Sequence, residues 1–61
     1  MHRAEKLESL VLISTMLQEI RRRANATEEA LLIYILDTAQ IETDDRISEI
    51  WEEIGGNPTP I

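Results

Sequence analysis

The stretch Ala30-Leu31-Leu32-Ile33-Tyr34-Ile35-Leu36 decides the fold. It is seven consecutive apolar or aromatic residues in a chain of 61. A helix turns about 100° per residue, so a run this long points large side chains in every direction. A helix that is apolar all round has to be covered all round. The segments on either side of the run are therefore read first as its cover.

On the N-terminal side, residues 3–24 read as one helix. Leu7, Leu10, Val11, Ile13, Leu17, Ile20 and Ala24 recur at spacings of three and four. Glu5 and Glu8 sit near the positive end of the helix dipole, and Arg21, Arg22 and Arg23 near its negative end. Leu12 and Met16 lie one turn apart, off the main stripe. The apolar face is thus wider than one packed neighbour requires. Asn25 is placed to end this helix in the left-handed conformation. Thr27 is placed to cap the next, with Glu28 and Glu29 in its first turn. The apolar run then belongs to a second helix over residues 28–41.

On the C-terminal side, Thr43 before Asp44 and Asp45 repeats the cap signal. It predicts a third helix over 44–54, with Ile47, Ile50, Trp51 and Ile54 forming its apolar stripe and Glu49, Glu52 and Glu53 its outer face. Gln40-Ile41-Glu42 could continue the second helix. A break is preferred because Thr43-Asp44-Asp45 is a better helix start than helix interior. Gly55-Gly56 and Pro58 predict a non-helical, flexible tail over 55–61. The expected architecture is all-α: one domain over 1–61, two long helices and a short C-terminal one.

Composition narrows the classes. There is no cysteine, hence no disulfide framework. The 43% hydrophobic content argues against disorder in spite of a net charge of −6. No apolar run approaches the roughly 20 residues that span a bilayer, and Met1-His2-Arg3-Ala4-Glu5-Lys6 has no signal-peptide pattern. A cytoplasmic protein is expected. Residues 1–24 carry a net +2 and residues 25–61 a net −8, so only the first helix offers a basic site.

A chain this short buries only about 60% of the surface its unfolded form exposes. One neighbour on each side cannot hide all of Leu31–Leu36. The expectation is a homodimeric helical bundle whose interface draws on Leu10, Leu12, Ile13, Met16, Leu17, Ile20, Leu32, Ile35 and Leu36. A compact monomer, or association with a different protein, are the alternatives.

No catalytic, cofactor or metal motif is present. His2 is the only histidine and has no carboxylate at Glu-x-x-His spacing. The acids from Glu42 to Glu53 lack the Ca²⁺-loop pattern and read as a solvated face. Arg21, Arg22 and Arg23 form a possible partner surface. Their alternatives are phosphate contact and pairing with acids at a helix C-terminus, and three consecutive residues do not share one helix face. Trp51 is the best hot-spot candidate for a protein partner. Tyr34 and Trp51 otherwise serve as core aromatics. Pro58, Pro60 and Ile61 form a candidate docking tail. The function expected is a non-enzymatic, regulatory protein–protein interaction. The alternative is a nucleic-acid-binding regulator that uses the basic end of the first helix. In length, acidity and helical character the chain is similar to the Rop family of plasmid copy-number proteins, which are small acidic homodimers of helical hairpins that bind RNA. No motif matches residue by residue, and no residue role is carried over.

Overall fold

A computed structural model of the chain describes residues 2–55. Two helices account for nearly all of them: α1, Arg3–Thr27, and α2, Ala30–Glu53. They pack side by side as a hairpin. Arg3 pairs with Glu53, Ser14 bonds Asp44, and Arg21 pairs with Asp37. Residue numbers rise on one helix as they fall on the other, so the helices are antiparallel. The thinnest dimension is 15 Å, a single layer of helices.

Helix α1 starts with a reciprocal cap. The backbone N–H of Ala4 donates to His2 Nδ1, and the N–H of His2 donates to Glu5 Oε1, each at 3.3 Å. The lone histidine is therefore a capping residue. At the other end α1 runs three residues past the predicted stop at 24. Asn25 stays helical, and Glu28 takes the left-handed position instead, with φ +61°. Thr27 makes that turn possible. Its hydroxyl donates to Ala24 O at 2.6 Å and accepts from the N–H of Glu29 at 3.2 Å. Thr27 thus serves the end of α1 and the connection, while Glu29 is the N-cap of α2 and makes no side-chain cap bond.

The predicted break at residues 42–43 and the separate third helix do not form. Helix α2 is continuous through Thr43, Asp44 and Asp45. Two interactions override the local preference of these residues. Thr43 satisfies its hydroxyl within the helix by donating to Ala39 O at 2.7 Å. Asp44 is held by donors, accepting from Ser14 Oγ at 2.8 Å and from Gln40 Nε2 at 3.2 Å. A helix restart at Thr43 would separate Gln40 from Asp44 and lose both. Gly55, at φ +79°, sits in the turn after α2 and donates to Glu52 O at 3.1 Å. The rest of the predicted tail, residues 56–61 including Pro58, Pro60 and Ile61, lies outside the described residues.

The two helices meet along a seam with alternating spacings of three and four. On α1 it comprises Leu7, Leu10, Ser14, Leu17, Arg21 and Ala24. On α2 it comprises Ile33, Leu36, Gln40, Thr43, Ile47 and Ile50. All twelve are buried or half-buried. Among the described residues only Ser9, Asp37 and Ala39 are otherwise as well covered. This is the heptad pattern of paired helices, with a polar middle. The most buried residues are Ser14, Ala24, Gln40, Thr43 and Ile50, three of them polar.

Candidate interaction surface

The polar middle of the seam is one connected chain. Gln40 Nε2 donates to Ser14 Oγ at 2.8 Å, and Ser14 in turn donates to Asp44. On the other side of Gln40, Arg21 Nη1 donates to its Oε1 at 3.5 Å, and Arg21 Nε donates to Asp37 at 2.8 Å. The apolar spacing of the sequence carries no sign of this network, because Ser14, Arg21, Asp37, Gln40 and Asp44 are all polar. No buried side-chain N or O among the described residues lacks a partner. The network therefore fixes the register of the hairpin at little desolvation cost.

Polar residues in the seam displace apolar ones to its flanks. Step back one residue from Ser14 and Arg21 and the positions are Ile13 and Ile20. Step back one from Ile33 and Gln40 and they are Leu32 and Ala39. In an antiparallel pair these two flanks fall on the same face of the hairpin. Met16 and Ile35 extend that face outward on each helix. Ile13, Met16, Ile20, Leu32 and Ile35 are all between 44% and 54% exposed. The opposite face carries Val11, Gln18 and Asn25 from α1, and Asp37, Asp44 and Trp51 from α2. Tyr34 and Ile41 extend it outward on α2, so it mixes exposed apolar groups with polar ones, and two of its acids close the seam network.

The predicted interface residues therefore divide into three groups. Leu10, Leu17 and Leu36 are half-buried in the hairpin's own seam. Ile13, Met16, Ile20, Leu32 and Ile35 come together on one apolar face. Leu12 is exposed on the outer side of α1, turned away from α2, and does not join them.

The three arginines also separate. Arg21 turns into the seam and pairs with Asp37. Arg22 and Arg23 point outward and both pair with Glu19 on their own helix. They present no common basic face. Trp51 is half-exposed on the face opposite the apolar one. Farther along α2, Arg46 sits between Glu42 and Glu49, each within 2.9 Å. The hydrogen bond that Arg46 donates to Glu49, then the charge of Glu42, hold its guanidinium above the usual arginine value.

At the open end of the hairpin an apolar cleft lies between the helices, lined by Ala4, Leu7, Ile50 and Ile54 with His2, Arg3 and Glu8 around them. Its polar groups do not converge on a point, and His2 Nδ1 is committed to the cap. Among the described residues no group of histidine, cysteine and acidic side chains could hold a metal ion. None of the described helices is long and apolar enough to cross a membrane. Comparison with protein-family models, curated proteins and solved structures finds no match to the chain.

Proposed function

We propose that this chain is a small, non-enzymatic protein-binding hairpin that acts as a homodimer in a regulatory interaction. The observation that supports it is the apolar face of Ile13, Met16, Ile20, Leu32 and Ile35, which the hairpin leaves about half uncovered. Two packed helices hide one stripe each. The stripe adjacent to it on both helices is also apolar here, and both lie on the same side. Contiguous apolar surface of this kind marks a contact with another protein. A second helical layer laid on it gives a four-helix bundle, the ordinary way for hairpins of this size to acquire a core.

Sedimentation equilibrium over a wide concentration range tests the reading. A dimer at micromolar concentration supports it. A monomer at every concentration, with helicity intact, overturns the homodimer.

A further inference from the structure

We infer that the second copy lies face to face on this hairpin with both inter-helix connections at the same end, so that α1 of each copy runs along α2 of the other. The inference rests on the homodimer proposed above and specifies its geometry. The apolar face is uneven along its length. Toward the connection it carries Met16, Ile20 and Arg23 from α1, and Leu32, Ile35 and Ala39 from α2, with Ile13 just past the midpoint. In the open half the same stripes carry Lys6 and Ser9 on α1, and Arg46, Glu49 and Glu53 on α2, with Glu42 at the midpoint.

Two symmetric arrangements can lay one such face on another. With the connections together, Met16 and Ile20 of one copy meet Ala39 and Ile35 of the second copy, at the register the hairpin uses within itself. Ile13 then falls beside Glu42, and Arg23 beside Leu32, along which its alkyl stem can lie. Lys6 then falls over the Glu49 and Glu53 row of the second copy, so unlike charges meet where the apolar groups end. With the copies reversed end for end, α2 meets α2 of the second copy around Glu42. Glu42 then faces its own symmetry mate. Leu32 and Ile35 face Glu53 and Glu49, which places carboxylates against apolar groups and like charges together. A reversed copy slid along to restore apolar contact overlaps over only about half its length. Both arrangements leave some aliphatic groups beside charged ones, but only the reversed one sets like charges together, Glu42 on Glu42 and Lys6 beside Arg23, so charge complementarity selects the first arrangement.

The absence of cysteine allows a single label. Glu29 is exposed in the connection, and its side chain makes no cap bond. A Glu29→Cys variant of the full chain, carrying a nitroxide, is measured by double electron–electron resonance. Helical layers pack about 10 Å apart, so with the connections together the labels lie within about 20 Å. In the fully overlapped reversed arrangement they are separated axially by about 35 Å or more, but in the slid one by only about 20 Å, given a rise of 1.5 Å per residue. A second variant, Glu52→Cys at the exposed open end, separates the slid case. Its labels lie about 50 Å apart there and within about 25 Å when the connections are together, by the same rise per residue. The short distance at both positions supports the inference. A long distance at either position overturns it and leaves the homodimer standing. A protein that sediments as a monomer and gives no intermolecular signal overturns both.

Discussion

Replacing Ile35 by glutamate separates folding of the hairpin from its association. Ile35 is 52% exposed in the single chain and lies on the apolar face. In an isolated hairpin the substitution is a change at a solvated helix position. Glutamate is at least as good a helix former as isoleucine, and such surface changes stay within about 0.5 kcal/mol. In the proposed dimer the count is different. Complete burial of an isoleucine contributes about 1.5–3 kcal/mol, and roughly half of that surface is still available, so each copy loses about 1 kcal/mol. Each copy also places a carboxylate where water is excluded, at about 1–3 kcal/mol or more apiece. Symmetry doubles both terms. The sum is at least about 4 kcal/mol, which is close to a thousandfold in the dissociation constant. Sedimentation equilibrium reads the constant, and far-ultraviolet circular dichroism at the same concentrations reads helicity. Ile41→Glu is the control, since Ile41 is 63% exposed but turned away from that face. If Ile35→Glu shifts the constant by less than about threefold, or if Ile41→Glu acts as strongly, the assignment of the face is wrong. Should helicity fall together with the dimer, the parent's melting temperature must rise with protein concentration, and a flat dependence refutes the coupling.

Gln40→Ala removes the centre of the polar seam, leaving Ser14 and Arg21 each short of a partner, and should cost about 1–3 kcal/mol in urea denaturation. Ser14→Ala combined with Gln40→Leu should cost less than the two single changes added together, because both ends of the bond become apolar. Glu28→Gly should stabilise the hairpin by about 0.5–1 kcal/mol, read as a rise in thermal midpoint, because glutamate at φ +61° is strained and glycine is not. Arg22→Ala with Arg23→Ala should change stability by less than about 1 kcal/mol, since both are solvated and pair only with Glu19. A larger loss in the same denaturation assay would show that they hold a contact beyond their own helix.

Much of the helical architecture was legible in the sequence, and the failures have identifiable causes. The spacing from Leu7 to Ala24 places α1 correctly, because an apolar stripe at helical period survives a few polar interruptions. The stop at Asn25 was three residues early. Asn and Glu compete for the left-handed position there, and Thr27 settles it by holding Ala24 O and the N–H of Glu29 at once. The break at Thr43 failed for a tertiary reason. Threonine and aspartate are poor helix-interior residues on propensity alone. Asp44 is nonetheless opposite Ser14, thirty positions earlier, and that bond has no local signature. The apolar face was only partly legible. Ile13, Met16, Ile20, Leu32 and Ile35 all fall within the nine residues that the sequence places at an interface, but so do Leu10, Leu17 and Leu36 of the seam and the outward Leu12. Leu12 and Met16 are four apart and share a flank by spacing, yet the step from one to the other is enough to turn Leu12 to the outer side of the hairpin. A stripe drawn from apolar residues alone cannot show which side the neighbouring helix takes. That side is set by Ser14, Arg21, Gln40 and Thr43, whose polarity hid them.

These two features, the polar seam and the apolar flank, have one physical origin. A seam filled by leucine and isoleucine would bury most of the chain's apolar surface within a single hairpin and leave polar flanks. Here four of the twelve seam positions are polar or charged, so large aliphatic groups are displaced to positions the hairpin cannot cover. The network specifies which residues of α1 stand opposite which residues of α2, and it does so with hydrogen bonds whose net contribution is only about 1 kcal/mol each. The larger apolar term stays on the outer face. An arrangement of this kind gives the single chain a defined register and assigns much of its stabilisation to whatever is packed on Ile13, Met16, Ile20, Leu32 and Ile35. Folding and binding then become one equilibrium, and a substitution at Ile35 and a substitution at Gln40 act on different parts of it: the first on the contact between layers, the second on the alignment within one.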